Sequence, residues 1–313
     1  MPMNARVSKS TAMPNAEMKS PLPFLKWAGG KRKLTSILID AFPADFDPKV
    51  NKFFEPFIGG GALSFALGNR ESSIYVPGKN LIINDMNPDL VNVYKVVRDD
   101  LQALVKELRK FEKLNNSESF YEIRSATYDN KIKQAARFIY LNKTCFNGLW
   151  RVNSAGNFNV PFGRYKNPKI LDLDNLIACS KRLQGARITH NTFSKAVEKA
   201  VRGDLVYFDP PYIPLTKTSA FSQYAKEDFG LEDQRELASL CKELTNRGVR
   251  VILSNSDTDL TREIFGRVVK LRQILVARTI SAKATTRFAV HEVIGTNYPI
   301  SRTSHLQSFK LIN

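Results

Sequence analysis

Asn51-Lys-Phe-Phe-Glu-Pro-Phe-Ile-Gly-Gly-Gly-Ala-Leu-Ser-Phe-Ala-Leu67 passes from a short apolar run, through three consecutive glycines, into a second apolar segment. The spacing predicts a strand over Asn51–Ile58, a turn at Gly59-Gly60-Gly61 and a helix from Ala62, because glycine adopts backbone angles closed to other residues. Asn80-Leu-Ile-Ile-Asn-Asp85 predicts a second strand that ends on a carboxylate, 24 residues beyond Gly61. From Pro88 the apolar spacing becomes helical, with Leu90, Val93, Tyr94 and Val97, then Leu101, Leu104, Val105 and Leu108. Alternation of this kind implies an α/β fold around a parallel sheet.

The alternation then pauses. A helical segment near Gln134–Asn142 leads into a basic stretch rich in Gly and Asn that runs to about Lys169, which reads as an insertion. Strands return at Ala186–His190 and at Leu205-Val-Tyr-Phe-Asp209, the second stopped by two prolines. A helix around Glu232–Asn246, with Leu237, Leu240, Cys241 and Leu244 on one face, stops at Gly248. Strands Val249–Asn255 and Val290–Tyr298 complete a doubly wound α/β core. The expected division is a polar tail over 1–20, a core domain from 21–95 and 185–305, and an insertion over 96–184.

Charge narrows the partner. Forty-seven Lys and Arg face thirty Asp and Glu, a net charge of +17. A polyanion is the natural partner, because neutralised phosphates release condensed counterions; the alternative is a basic protein kept soluble by its charge. Lys131, Lys133, Arg137, Lys143, Arg151, Arg164, Lys166 and Lys169 lie in one stretch without an acidic residue. Arg267, Lys270, Arg272, Arg278, Lys283 and Arg287 lie in another. The pair suggests two walls of one groove. No lipidation signal or long basic amphipathic helix points to a membrane. Cys145, Cys179 and Cys241 are far apart, and with three histidines the chain offers neither a disulfide framework nor a metal-ligand pattern, so no metal is expected. The first twenty residues lack the apolar stretch of a signal peptide, and no run of about eighteen apolar residues occurs, so a cytoplasmic protein is expected.

Two constellations could carry chemistry. In Phe57-x-Gly59-x-Gly61 the backbone can approach a ligand closely, and Asp85 can accept from ribose hydroxyls. A turn that merely reverses the chain looks similar. No Gly-Lys-Ser/Thr follows, which excludes a P-loop, and the consecutive glycines depart from the dinucleotide pattern. Asp209-Pro210-Pro211-Tyr212 is more specific, since two prolines lock φ and hold Tyr212 beside the carboxylate. An aromatic amine is flat and poorly nucleophilic. Acceptors at the Asp209 carboxylate and the Pro210 carbonyl can each bind one N–H and favour a pyramidal nitrogen, while Tyr212 stacks on the ring. Such catalysis is positioning and charge stabilisation. A base so reached must leave the duplex, at a cost of roughly a few kcal/mol.

With these residues in place, the chain resembles the D12 class, Dam-type DNA adenine-N6 methyltransferases, in which a cofactor motif precedes the recognition insertion and DPPY follows it. The blocks are Phe24-Leu-Lys-Trp-Ala-Gly-Gly-Lys31, Glu55-Pro-Phe-Ile-Gly-Gly-Gly61, Asn84-Asp-Met-Asn87, Phe146-Asn-Gly-Leu-Trp-Arg151, Asn159-Val-Pro-Phe-Gly-Arg-Tyr165, Asp209-Pro-Pro-Tyr212 and Ser254-Asn255. The resemblance implies a seven-stranded, mostly parallel Rossmann-like methyltransferase sheet with an inserted helical and loop-rich target-recognition domain. It implies S-adenosylmethionine as cofactor and double-stranded DNA as partner, bound by a monomer. Trp27, Lys31, Phe57, Gly59, Asp85, Phe193 and Asp209 would contact the cofactor, with Phe193 on its adenine. Many relatives place an acidic residue before that ring, where Asn191 stands here.

Relatives that read GATC use an aromatic residue, Asn-Gly-Leu and an Arg, matched here by Phe146, Asn147, Gly148, Leu149 and Arg151. The resemblance implies that Phe146 fills the gap left by a flipped adenine and Arg151 reads a guanine. Pro161 would pack on a thymine methyl and Lys26 would reach the outer guanine. For Lys26 and Arg151 the alternative is phosphate contact, which positions without specifying. Cytosine-C5 methylation needs a cysteine nucleophile, usually after proline, and no cysteine here follows proline. Cytosine-N4 methylation, whose loop usually begins with Ser or Thr, and a catalytically silent DNA-binding protein are the rival readings. Pairing with a restriction nuclease stays open.

Overall fold

Two-residue periodicity organises the core. Phe53 of β1 (Phe53–Glu55), Leu81 and Ile83 of β2 (Leu81–Asn84), and Leu205 and Tyr207 of β4 (Leu205–Phe208) pack on one face of a sheet. Their chain neighbours Phe54, Ile82, Val206 and Phe208 pack on the other. Successive strand side chains point to opposite faces, so an unbroken apolar run is a strand covered on both sides. Ile252 against Val251 and Leu253 repeat the pattern in β5 (Arg250–Ser256).

Eight strands form one sheet in the order β3-β2-β1-β4-β5-β7-β6-β8. β3 spans Arg187–Thr189, β6 Lys270–Ala277, β7 Ala289–Thr296 and β8 Leu311–Ile312. Strands β1 to β5 run parallel, whereas β7 is antiparallel to β5 and β6, and β8 to β6. Among the described residues the sheet thus has one strand more than the seven expected, and β6 and the short edge strand β8 are the two that no segment above locates. This computed structural model describes residues 20–69, 73–214, 229–277, 289–301 and 304–312. The expected tail, apart from Ser20, lies outside them, as do Arg278, Lys283 and Arg287 of the second basic stretch.

One face of the sheet carries α1 (Thr35–Asp40), α2 (Ala62–Ala66), α3 (Pro88–Asp99) and α7 (Leu173–Leu183). The other carries α8 (Phe193–Val197), α9 (Leu231–Asn246) and α10 (Asp259–Phe265). Between α3 and α7 in the chain lie α4 (Leu101–Phe111), α5 (Ser117–Ser125) and α6 (Lys131–Thr144). Their Phe111, Phe120, Phe138 and Tyr140 join the same buried cluster as β1 and β2. Each such side chain contributes about 1.5–3 kcal/mol on burial, so these three helices are welded to the core. Asn130 starts α6 by accepting from the backbone N–H groups of Ile132 and Lys133. Buried Arg137 gives its guanidinium to the carbonyls of Ile123 and Arg124, which closes α5 on α6.

Strand polarity places the expected motifs together. The glycine turn follows β1, Asp85 follows β2, Asn191 follows β3 and Asp209 follows β4, all at the carboxyl edge. Strand order reverses between β1 and β4, and such a reversal opens the crevice in which α/β sheets bind ligands.

Candidate active site

The turn after β1 needs glycine for two reasons. Gly59 and Gly61 have φ of +46° and +70°, and a methyl group at either would stand 2.7 Å from Trp27 Cδ1 or Tyr94 Oη respectively. Gly59 N–H donates to Asp85 Oδ2 at 3.1 Å and Asn87 N–H to Oδ1 at 3.0 Å, while Tyr94 Oη donates to the Gly59 carbonyl at 2.9 Å. Burial pushes the Asp85 carboxyl up, against the backbone N–H bonds that favour its charged form. Behind the turn, burial pushes the Glu55 carboxyl up to about 8, opposed by the Ser64 hydroxyl and reinforced by the charge of Asp209.

Asp209 leaves β4 half-buried. Its Oδ1 forms an ion pair with Lys31 Nζ at 3.0 Å and accepts from Ser254 Oγ at 2.7 Å. No described residue bonds Oδ2. Lys31 also donates to the Gly29 carbonyl at 2.8 Å, and its ammonium lies 4.3 Å from the centre of the Tyr212 ring. Tyr212 Oη donates to Glu292 Oε2 at 2.9 Å, and burial with the charges of Asp209 and Glu292 holds that hydroxyl well above the usual tyrosine range. Since neither proline offers an N–H, the loop is held by its other groups. Asn255 Oδ1 accepts from Ile213 N–H at 3.1 Å, and Gln234 Nε2 donates to the Pro211 carbonyl at 2.8 Å. Asn255 Nδ2 closes the circuit on Gln234 Oε1 at 3.2 Å. Every member of this buried network has a partner, the condition under which such networks rigidify a site.

Phe57 stacks on Phe193 with centroids 5.7 Å apart and planes at 25°, and Phe229 meets both edgewise or tilted. A further ring between Phe57 and Phe193 would require about 7 Å, twice the carbon contact distance. A base that stacks on Phe193 therefore uses its other face or displaces Phe57. Asn191 is held by Asn84, whose side chain bonds its N–H and carbonyl at 2.9 Å each.

The segment from Phe146 to Tyr165 folds as a loop and hairpin after α6. Asn147 and Gly148 have φ of 54° and 64°. Phe146 is 44% exposed, and its N–H donates to the Pro161 carbonyl at 2.8 Å. Val152 bridges Phe158, which sets exposed Arg151 opposite Asn159. Leu149 is half-buried against the core. Lys26, with its ammonium 4.3 Å from the Tyr165 ring centre, packs its stem where a Gly148 side chain would stand. Trp27, stacked on Phe138 of α6 at 6.3 Å, fills the space that Gly59 vacates. The segment Lys26–Lys31 therefore touches the Phe146–Tyr165 loop, the glycine turn and the Asp209 loop within six residues.

Among the described residues no group of three or more His, Cys, Asp or Glu could hold a metal ion, and no helix is long and apolar enough to cross a membrane. Ser254 and Asn255 stand in the sequence blocks above without a role, and Tyr207, Gln234 and Glu292 join the site only in the folded chain. For Tyr207 the alternation in β4 was a usable signal, since it puts residue 207 on the same side as Asp209; for Gln234 and Glu292 there was none.

The arrangement joins a rigid carboxylate with one oxygen unbonded to a described residue, an aromatic ring beside it and a glycine crevice on the neighbouring strand. The profile of the D12 class N6 adenine-specific DNA methyltransferases matches residues 27–281. A Type II methyltransferase of Lactococcus lactis subsp. cremoris is 42% identical over 88% of this chain and 95% of its own length. One from Methanocaldococcus jannaschii is 39% identical over 88% and 99%, and the DNA adenine methylase of Haemophilus influenzae 36% identical over 87% and 92%. With the match extending over most of the chain, this protein belongs to the D12 class N6 adenine-specific DNA methyltransferases.

Proposed function

We propose that this adenine DNA methyltransferase uses S-adenosylmethionine, acts on double-stranded DNA at GATC, and reaches its adenine by base flipping. The observation that carries the site assignment is the state of Asp209: Oδ1 is held by Lys31 and Ser254, and Oδ2 has no described partner. Oδ2 and the Pro210 carbonyl accept the two amino hydrogens, and Tyr212 stacks on the base. Asp209 is placed to take the proton that the methylated nitrogen sheds.

The cofactor reading is supported by the glycine turn at the carboxyl edge of β1, which Trp27 and Tyr94 brace from behind, and by the Asp85 carboxylate and the Phe57 and Phe193 rings beside it. When bound, S-adenosylmethionine supplies an electrophilic methyl group. Trp27, Lys31, Phe57, Gly59, Asp85, Phe193 and Asp209 would hold it, Phe193 by its ring. Phe146 fills the gap in the duplex, Asn147 and Leu149 shape the loop, and Pro161 packs on a thymine methyl. Arg151 and Lys26 read guanines.

Residues 21–95 and 185–305 form the methyl-transferring unit and 96–184 the recognition unit, with DNA between them and one copy of the chain on each site. The Type II names of two relatives support a place in a restriction–modification pair. Acting on DNA, the enzyme works where the genome lies, which in bacteria is the cytoplasm.

Incubation with methyl-labelled S-adenosylmethionine and a GATC duplex tests the reading. Label on the adenine of GATC supports it. Transfer to adenine in other sequences with equal efficiency sinks the GATC assignment, and label on cytosine sinks the whole.

A further inference from the structure

Arginine presents two edges that can make paired hydrogen bonds to guanine O6 and N7, the Nε/Nη2 edge and the Nη1/Nη2 edge. In this protein the first is already used. Arg151 Nε donates to Asn159 Oδ1 at 2.6 Å, and Nη2 approaches the Asn159 carbonyl at 3.4 Å. Asn159 N–H in turn donates to the Arg151 carbonyl at 3.0 Å, so the hairpin backbone sets the two residues opposite each other. Nη1 and the second hydrogen of Nη2 have no partner among the described residues, and Arg151 is exposed.

We propose that Asn159 is a positioning residue for specificity, which turns Arg151 so that its Nη1/Nη2 edge faces the guanine. The proposal rests on the reading of Arg151 as a base reader. A neutral amide suits the task, because it orients the guanidinium without neutralising it. An exposed arginine otherwise samples many rotamers, and restraining it beforehand lowers the ordering needed on DNA. A carboxylate at the same place would hold the same edge but repel phosphates.

The test measures kcat/KM on the GATC duplex and on duplexes with each base pair replaced singly. Arg151→Ala comes first. If it lowers all duplexes equally, Arg151 is a phosphate contact, and both the reading and the proposal that rests on it fall. If it relaxes discrimination at one guanine, Asn159→Ala should relax the same position by about five- to tenfold, less than the full value of a bidentate pair. The double variant should then be no more relaxed than Arg151→Ala alone. Asn159→Asp should retain discrimination while weakening all duplexes alike. An Asn159→Ala ratio unchanged at that guanine, or a loss equal across all duplexes, overturns the proposal while the reading of Arg151 stands. Should Asn159→Ala fail to fold, loss of discrimination in Asn159→Asp overturns it as well.

Discussion

Ser254 links the buried core to the Asp209 carboxylate, and a double-mutant cycle with Tyr207 measures that link. Ser254 is wholly buried, and its single hydroxyl hydrogen goes to Asp209 Oδ1 at 2.7 Å. The 2.9 Å contact with Tyr207 Oη must then be donated by the tyrosine, whose ionisation burial and the charge of Asp209 oppose. Ser254→Ala strands that phenol hydroxyl without an acceptor, at about 1–3 kcal/mol, and removes a donor from a charged group. Tyr207→Phe removes one bond and strands nothing, since Ser254 still donates to Asp209; it should cost about 0.5–1.5 kcal/mol. In the double variant no orphan hydroxyl is left. It should be more stable than the sum of the singles by about 1–2 kcal/mol, well outside the ~0.5 kcal/mol scatter of independent sites. Urea unfolding of the four proteins provides the values, with equal slopes as the check on two-state behaviour. Additivity within that scatter would refute the chain Tyr207–Ser254–Asp209.

Two further outcomes follow from the site. Asp209→Ala should abolish methyl transfer while retaining most DNA affinity, measured by labelled transfer and by gel shift, because that affinity is set by phosphate contacts. Retained turnover would end the proposed role, and Asp209→Asn, which keeps an acceptor for Lys31 and Ser254, separates chemistry from folding. Glu55 has a carboxyl pKa raised from 4.5 to about 8 in the fold. Its contribution to stability is therefore complete below about 4.5 and declines as pH rises through about 8. Glu55→Gln, which cannot titrate, should flatten the fall of melting temperature across that window; an unchanged slope would refute burial as the state of Glu55.

Sequence alone determined what short-range constraint determines. Unbroken apolar runs such as Leu205–Phe208 declared strands buried on both faces, and prolines at 210 and 211 stopped one of them beside a carboxylate. The turn at Gly59-Gly60-Gly61 was legible because glycine enters left-handed backbone conformations at no steric cost. The same local logic placed a helix near Gln134–Asn142 and an irregular Gly- and Asn-rich stretch after it, but not α5 or the hairpin that closes on Val152 and Phe158. Two-residue β8 lacks a periodic signal and pairs through a partner, β6, some forty residues away. Tertiary structure decided which distant groups meet: Lys31 and Ser254 share Asp209 Oδ1, Glu292 holds Tyr212, and Gln234 and Asn255 brace the prolines. These pairings depend on sheet order and on β7 returning antiparallel beside β5, neither of which any single segment encodes. Strand propensity says that a run will pair; long-range packing, which buries both faces at once, selects the neighbour and so places the side chains that gather around Asp209.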